Sequence, residues 1–207
     1  SNEAYNYDLK GKEQLTDYDW DGARQTFEKA VAVDPAFASV YYYLYEAYYM
    51  LNNSREAGDA IRKAWDFSQK ATERERLLIE AEYVRSIEKN PQKCLQILEE
   101  AAEKYPKDKE VHFYLGFSYG DRGMHEQAIE EHNKALMLDP DYADALNSIA
   151  YEYMELGDFE RAVEYLKRYV SVMPGKPNPL DSLAEVYFWM GKLDEAMANY
   201  KKALEVK

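Results

Sequence analysis

The chain has 207 residues, with 39 acidic and 26 basic side chains and a net charge of −13. Phosphate backbones and anionic membrane surfaces recruit basic surfaces, so nucleic-acid and membrane partners are disfavoured. No stretch approaches the roughly 18 uninterrupted apolar residues of a membrane helix, and the single Cys94 allows no internal disulfide. The framework therefore carries no mark of an oxidising compartment, which slightly favours a cytoplasmic setting but leaves the location open, since helical repeats need no bridge.

Six small residues punctuate the chain. Ala23, Ala57, Cys94, Ala128, Ala162 and Ala196 are separated by 34, 37, 34, 34 and 34 residues. A 34-residue period belongs to a helix–turn–helix solenoid, in which each pair buries its apolar face on its neighbours. One domain over residues 4–207 is predicted, built of repeats 4–37, 38–74, 75–108, 109–142, 143–176 and 177–207.

In chain order, Ser1-Asn2 reads as the scar of a cleaved tag ahead of the first repeat. Asp17-x-Asp19-x-Asp21-Gly22 followed by Glu28 then satisfies a calcium-loop pattern. The preferred reading is an inter-helix turn, with residues 25–30 already helical and Glu28 unable to close a loop. Pro35 stops the second helix. The second repeat has Tyr45 where others have glycine or alanine, and no closing proline. Thr72 and Glu75 form a capping box that restarts the helix instead. Leu77, Ala81 and Val84 share one face of the third repeat, making Ala81 its small residue, and a kink is expected where the three extra residues fall. Pro106, Pro140 and Pro174 end later repeats, and Gly123, Gly157 and Gly191 close first helices at positive φ. Pro179 is expected to open the last pair after a capping Asn178, with Asp181 in the first turn. The chain stops at Lys207, one residue short of the next proline slot, which suggests a segment of a longer protein.

Leu115-Gly116, Tyr119, Gly123, Ala128, Ala135 and Pro140 in one repeat resemble the tetratricopeptide repeat family. So do Gly11, Ala23, Phe27, Ala30 and Pro35 in the first, and Leu183-Ala184, Tyr187, Gly191, Ala196, Tyr200 and Ala203 in the last. The runs Thr72-Glu73-Arg74-Glu75-Arg76 and Asn178-Pro179-x-Asp181-Ser182 are similar to prokaryotic six-repeat arrays. The resemblance implies an all-α, right-handed superhelical solenoid of six repeats. It also implies a concave surface lined by slots two, five, nine, twelve and thirteen of each repeat. Outside the irregular third repeat these 25 slots hold eight aromatic, eight acidic and one basic side chain. The candidate binding residues among them are Tyr5, Tyr42, Glu46, Tyr49, Phe113, Phe117, Asp121, Asn147, Tyr151, Asp181, Glu185, Phe188 and Trp189. Exposed aromatic rows edged by carboxylates suit a protein or peptide that is basic or contains proline. Family members that clamp acidic tails place Lys, Asn and Arg in slots five, nine and thirteen. Asp8, Glu46, Glu155, Asp181 and Glu185 stand there here and would repel such a tail.

His112 and His132 occupy slots four and twenty-four, expected to face one another when Gly116 faces Ala128. Packing in the core is preferred to zinc ligation or pH sensing. Cys94 sits at a tight helix contact, where a thiol is inert. No catalytic triad, phosphate loop or paired-cysteine motif is present. The expected function is a non-catalytic, cofactor-free scaffold for protein or peptide binding. The alternative is a regulatory or sensor segment attached to a kinase, cyclase or DNA-binding module.

Overall fold

A computed structural model describes residues 1–206. These form α1 (Asn2–Thr16), α2 (Trp20–Val33), α3 (Ala38–Met50), α4 (Ser54–Phe67), α5 (Glu73–Tyr83), α6 (Pro91–Lys104), α7 (Lys109–Gly120), α8 (His125–Leu138), α9 (Ala143–Glu155), α10 (Phe159–Val172), α11 (Pro177–Trp189) and α12 (Leu193–Glu205). A short 3₁₀ turn, Ser68–Lys70, and a π-helical segment, Val84–Glu88, complete the order; there is no strand among the described residues. The helices fall into two compact units, Ser1–Ala101 and the chain from Ala102 onward, with the boundary inside α6. In the first unit α1 packs on α2 and α3 on α4; in the second α7 packs on α8, α9 on α10 and α11 on α12.

One turn geometry recurs six times. Gly123, Gly157 and Gly191 have φ of 70°, 75° and 73°, as their positions between paired helices predict. Tyr18, Asn52 and Lys89 occupy the same repeat position with φ of 57°, 59° and 54°. A left-handed conformation costs a non-glycine residue roughly 1–2 kcal/mol, so the first three turns are strained where the last three are not. Five of the six turns are held by a backbone bond reaching back five residues: Asp19 N–H to Gln14 O, Asn53 to Tyr48, Met124 to Tyr119, Asp158 to Tyr153 and Lys192 to Tyr187. This is the long bond of a Schellman-type helix end. Prolines fall shortly past the ends of α2, α6, α8 and α10, where they stop those helices.

The three-residue excess in the middle of the chain has two parts. Thr72 caps α5 through the predicted capping box: its hydroxyl accepts from Glu75 N–H at 3.3 Å, and its N–H donates to Glu75 at 3.0 Å. Ala81, buried at the small-residue position, lies 36 residues after Tyr45 rather than 34, which places two extra residues before it. The remaining residue lies in the π-helical segment, where Asn90 N–H reaches back six residues to Val84 O rather than five. A π-bulge absorbs one residue without breaking the helix. That is why α5 is out of register with the counting from Cys94.

Close helix approach depends on the eighth slot in the first and fourth repeats. A Cβ on Gly11 would strike the Phe27 ring, and one on Gly116 would lie 2.7 Å from the His132 ring. The small residue thus faces slot twenty-four, so Gly116 accommodates His132 directly. Ala150 and Ala184 occupy the same slot later in the chain. Ser1 is the N-cap of α1, accepting from Ala4 N–H at 3.2 Å. Pro177, not Pro179, opens α11 after Lys176, and Asn178 donates its amide to the Tyr169 hydroxyl at 2.7 Å instead of capping.

Candidate functional site

The predicted surface slots divide by unit. In the first, Tyr5 and Tyr49 are 54% and 57% exposed. Tyr42 is only 5% exposed and sits edge-on to Tyr43 with ring centroids 5.4 Å apart. Tyr42 is therefore a core residue, which corrects its place among the contact candidates. α3 carries tyrosine at six of its thirteen positions, and Tyr41, Tyr42 and Tyr45 are all buried. A helix that is apolar around most of its circumference is an interior helix. Glu46 is half-buried on the same helix.

Slot five of the first repeat, Asp8, is buried and accepts from Lys12 Nζ at 2.8 Å. Its other carboxylate oxygen is buried without a hydrogen-bond partner, and burial raises its pKa despite Lys12. Lys12 Nζ also stands 4.5 Å above the centroid of the Tyr43 ring. The one basic side chain in the predicted groove thus fills a niche formed by a carboxylate and an aromatic face.

In the second unit, the first helices of successive repeats are neighbours: α7 contacts α9, and α9 contacts α11. Phe117 and Tyr151 are exposed, and Phe188 and Trp189 are 55% and 62% exposed, meeting edge-on at 6.1 Å. Phe113 is half-buried between Tyr114, His132 and Tyr142, and Asn147 is half-buried with a carboxamide oxygen that has no partner. Asp121 and Asp181 are exposed, whereas Glu185 is half-buried. Tyr151 donates to Glu185 Oε2 at 2.7 Å, joining α9 to α11. Burial, aided by the Glu185 carboxylate, pushes the Tyr151 phenol up to about 12. The fifteen groove slots of α7, α9 and α11 contain six carboxylates and no cation.

Glu152 crosses from α9 toward Gly120 of α7, where its carboxylate fills the space a Cβ would need. His125 Nδ1 lies 2.7 Å from Glu152 Oε2. Burial raises the Glu152 pKa, and His125 opposes that shift. This cross-helix link is invisible to slot counting, because residue 152 lies outside the five surface slots.

The histidine pair expected from slot geometry does not form. His112 Nδ1 lies 2.7 Å from Glu131 Oε2 and its Nε2 lies 3.0 Å from Pro106 O. His132 is fully buried, with neither ring nitrogen hydrogen-bonded, and tilts against Phe113 at 5.4 Å. Burial alone lowers its pKa to about 4. The two rings belong to different environments because slot twenty-four faces the glycine at slot eight. Beside His112 a cleft of about 410 Å³ is lined by Pro106, Glu131, Lys134, Met137 and Leu138, among others. Of its polar groups, His112 is paired with Glu131, and Lys134 with both Glu130 and Glu131.

The calcium-like run is a helix–turn–helix junction. Asp17 ends α1, and Asp19 caps α2 by accepting from Gly22 N–H at 3.0 Å. Asp21 and Glu28 both bind Arg24, and Glu28 also accepts from the Tyr48 hydroxyl at 2.7 Å. These carboxylates are engaged in helix capping and in pairing with Arg24, and no group of metal-ligating side chains converges among the described residues. Cys94 is buried and free.

Comparison with known proteins accounts for this geometry. A family model described as TPR repeat matches residues 119–157, and models described as Tetratricopeptide repeat match 9–71, 143–174 and 180–207. No curated protein matches the sequence. Among solved structures, the type IV pilus biogenesis factor PilW is 18% identical over 95% of this chain and 90% of its own, with a TM-score of 0.62. A chain of the APC/C hetero-tetramer Cut9–Hcn1 is 17% identical over 99% of this chain and 40% of its own, with a TM-score of 0.66. A thermophilic TPR protein of Thermus thermophilus, TTC0263, is 22% identical over 98% of this chain and 91% of its own, with a TM-score of 0.54. Models of one family recurring along the chain, on paired helices that share a 34-residue period and a single turn geometry, make it a tetratricopeptide-repeat protein.

Proposed function

We propose that the chain is a non-catalytic protein-interaction scaffold whose second unit binds an extended basic or proline-containing segment on the exposed face of α7, α9 and α11. The observation that carries this reading is the composition of that face: Phe117, Tyr151, Phe188 and Trp189 exposed among six carboxylates, with no cation in its slots. Aromatic anchors provide most of an interface's energy, while peripheral charge steers the encounter and rejects partners of the same sign. The same fold occurs in the Cut9–Hcn1 hetero-tetramer, an assembly of two kinds of chain.

The test is a peptide-array screen comparing the parent with a Phe117→Ala, Trp189→Ala double variant. Bound peptides are expected to be basic or proline-containing, with signals that fade as added salt shortens the Debye length below about 8 Å. Acidic hits, or a double variant that binds as well as the parent, remove this face from consideration.

A further inference from the structure

The chain treats its own carboxylate–tyrosine niches consistently. Lys12 sits between Asp8 and the Tyr43 ring, with 2.8 Å to the carboxylate and 4.5 Å to the ring centroid. Lys109 pairs with Asp139 and stands 4.7 Å above Tyr142. Arg161 pairs with Asp158 and lies 4.4 Å above Tyr153. Where Tyr48 donates to Glu28, Arg24 neutralises that carboxylate at 2.8 Å. Each of these niches is completed by a cation from the same chain.

One niche on the second unit lacks that completion. Tyr151 of α9 donates to Glu185 of α11, as Tyr48 does to Glu28. Asp181 lies one helical turn before Glu185, on the same side of α11. On α12, burial and then the Asp181 and Glu185 carboxylates raise the pKa of the Tyr200 phenol. No Lys or Arg among the described residues forms an ion pair with Asp181 or Glu185, and α9 and α11 contain neither residue type. Exposed Trp189 ends the same helix.

We infer that Asp181 and Glu185, beside Tyr151, form the seat for an arginine side chain of the bound segment. This inference rests on the binding face proposed above and identifies what that face reads. Arginine fits better than lysine for geometric reasons. Its planar fork donates to two carboxylates at once while its face lies on an aromatic ring, whereas an ammonium is a point charge. Glu185 already accepts one bond from Tyr151, which fixes its rotamer and leaves lone pairs toward the seat. The corresponding niche of the first unit is occupied by Lys12, so the second unit is the one open to an external cation.

The test uses the full chain and three extended probes built on one Gly-Pro-X-Pro-Gly core, with X as arginine, lysine or citrulline. Citrulline keeps the shape and hydrogen-bonding edge of arginine but has no charge. NMR titration, followed at the Trp189 indole N–H, is expected to rank arginine above lysine and to weaken binding about tenfold for citrulline. An Asp181→Asn, Glu185→Gln variant should bind the arginine and citrulline probes equally. If that variant retains the arginine preference, the seat is overturned while the aromatic face stands. If the Phe117→Ala, Trp189→Ala variant binds the arginine probe as the parent does, or the parent does not bind it, the face and the seat fail together.

Discussion

Replacing His132 tests how burial controls the acid stability of the second unit. The imidazole has no solvent exposure and no hydrogen bond to either nitrogen, and burial depresses its pKa from 6.5 to about 4. Between those values the unfolded chain takes up a proton that the folded chain refuses. Stability contributed by keeping His132 neutral is therefore fully present above pH 6.5 and is lost as pH falls toward 4. One proton changes stability by about 1.4 kcal/mol per pH unit, so the full window amounts to about 3 kcal/mol. His132→Phe copies the arrangement of Phe27 over Gly11, and His132→Leu places at slot twenty-four the residue that Leu166 supplies in the fifth repeat. At pH 7 the leucine variant should be as stable as the parent or more so, because two unsatisfied polar nitrogens leave the core at about 1–3 kcal/mol each when unpaired. Urea unfolding between about pH 7 and about pH 4.5, monitored by circular dichroism, gives the parent-minus-variant difference across the window that linkage defines. Groups common to both proteins cancel in that difference. The parent should fall behind progressively, and NMR should show a neutral His132 ring down to about pH 4. A difference that stays constant over that whole range refutes the reasoning.

Three further outcomes follow from the packing and the turns. Gly116→Ala should destabilise by about 1–3 kcal/mol, since its methyl would lie 2.7 Å from the His132 ring. Adding His132→Leu should recover part of that loss, and strict additivity in a double-mutant cycle would argue against the contact. Lys89→Gly should stabilise the first unit by about 1 kcal/mol in thermal or urea unfolding, because φ is 54° there; a loss of stability would show that the turn is not strained. Thr72→Ala should cost about 1 kcal/mol by removing the capping box of α5, and an unchanged unfolding midpoint would mean that the 3₁₀ turn alone sets the start of α5.

What the sequence determined by itself is what depends on local chemistry. The 34-residue spacing, the glycines at positive φ, the stopping prolines and the Thr72–Glu75 box each act through a few neighbouring backbone groups, so their types and intervals were sufficient to mark the helix ends they flank. The third-repeat register was legible only to within a residue, because a π-bulge leaves no composition mark and shifts the face of α5 without breaking it. The site was legible in kind but not residue by residue. A surface slot lies beside the adjacent first helix as well as the groove, so its exposure depends on the packing around it. Tyr42 and Trp189 are both aromatic groove slots, yet α3 is enclosed by other aromatic side chains and the end of α11 is not. Tertiary packing likewise divided the histidines, placing His132 over Gly116 and His112 against Glu131, and it gave Lys12 to Asp8 while leaving Asp181 and Glu185 without a cation among the described residues. Periodicity specifies which residues share a face; only the helices packed around that face decide whether a side chain is buried, paired or open to a partner.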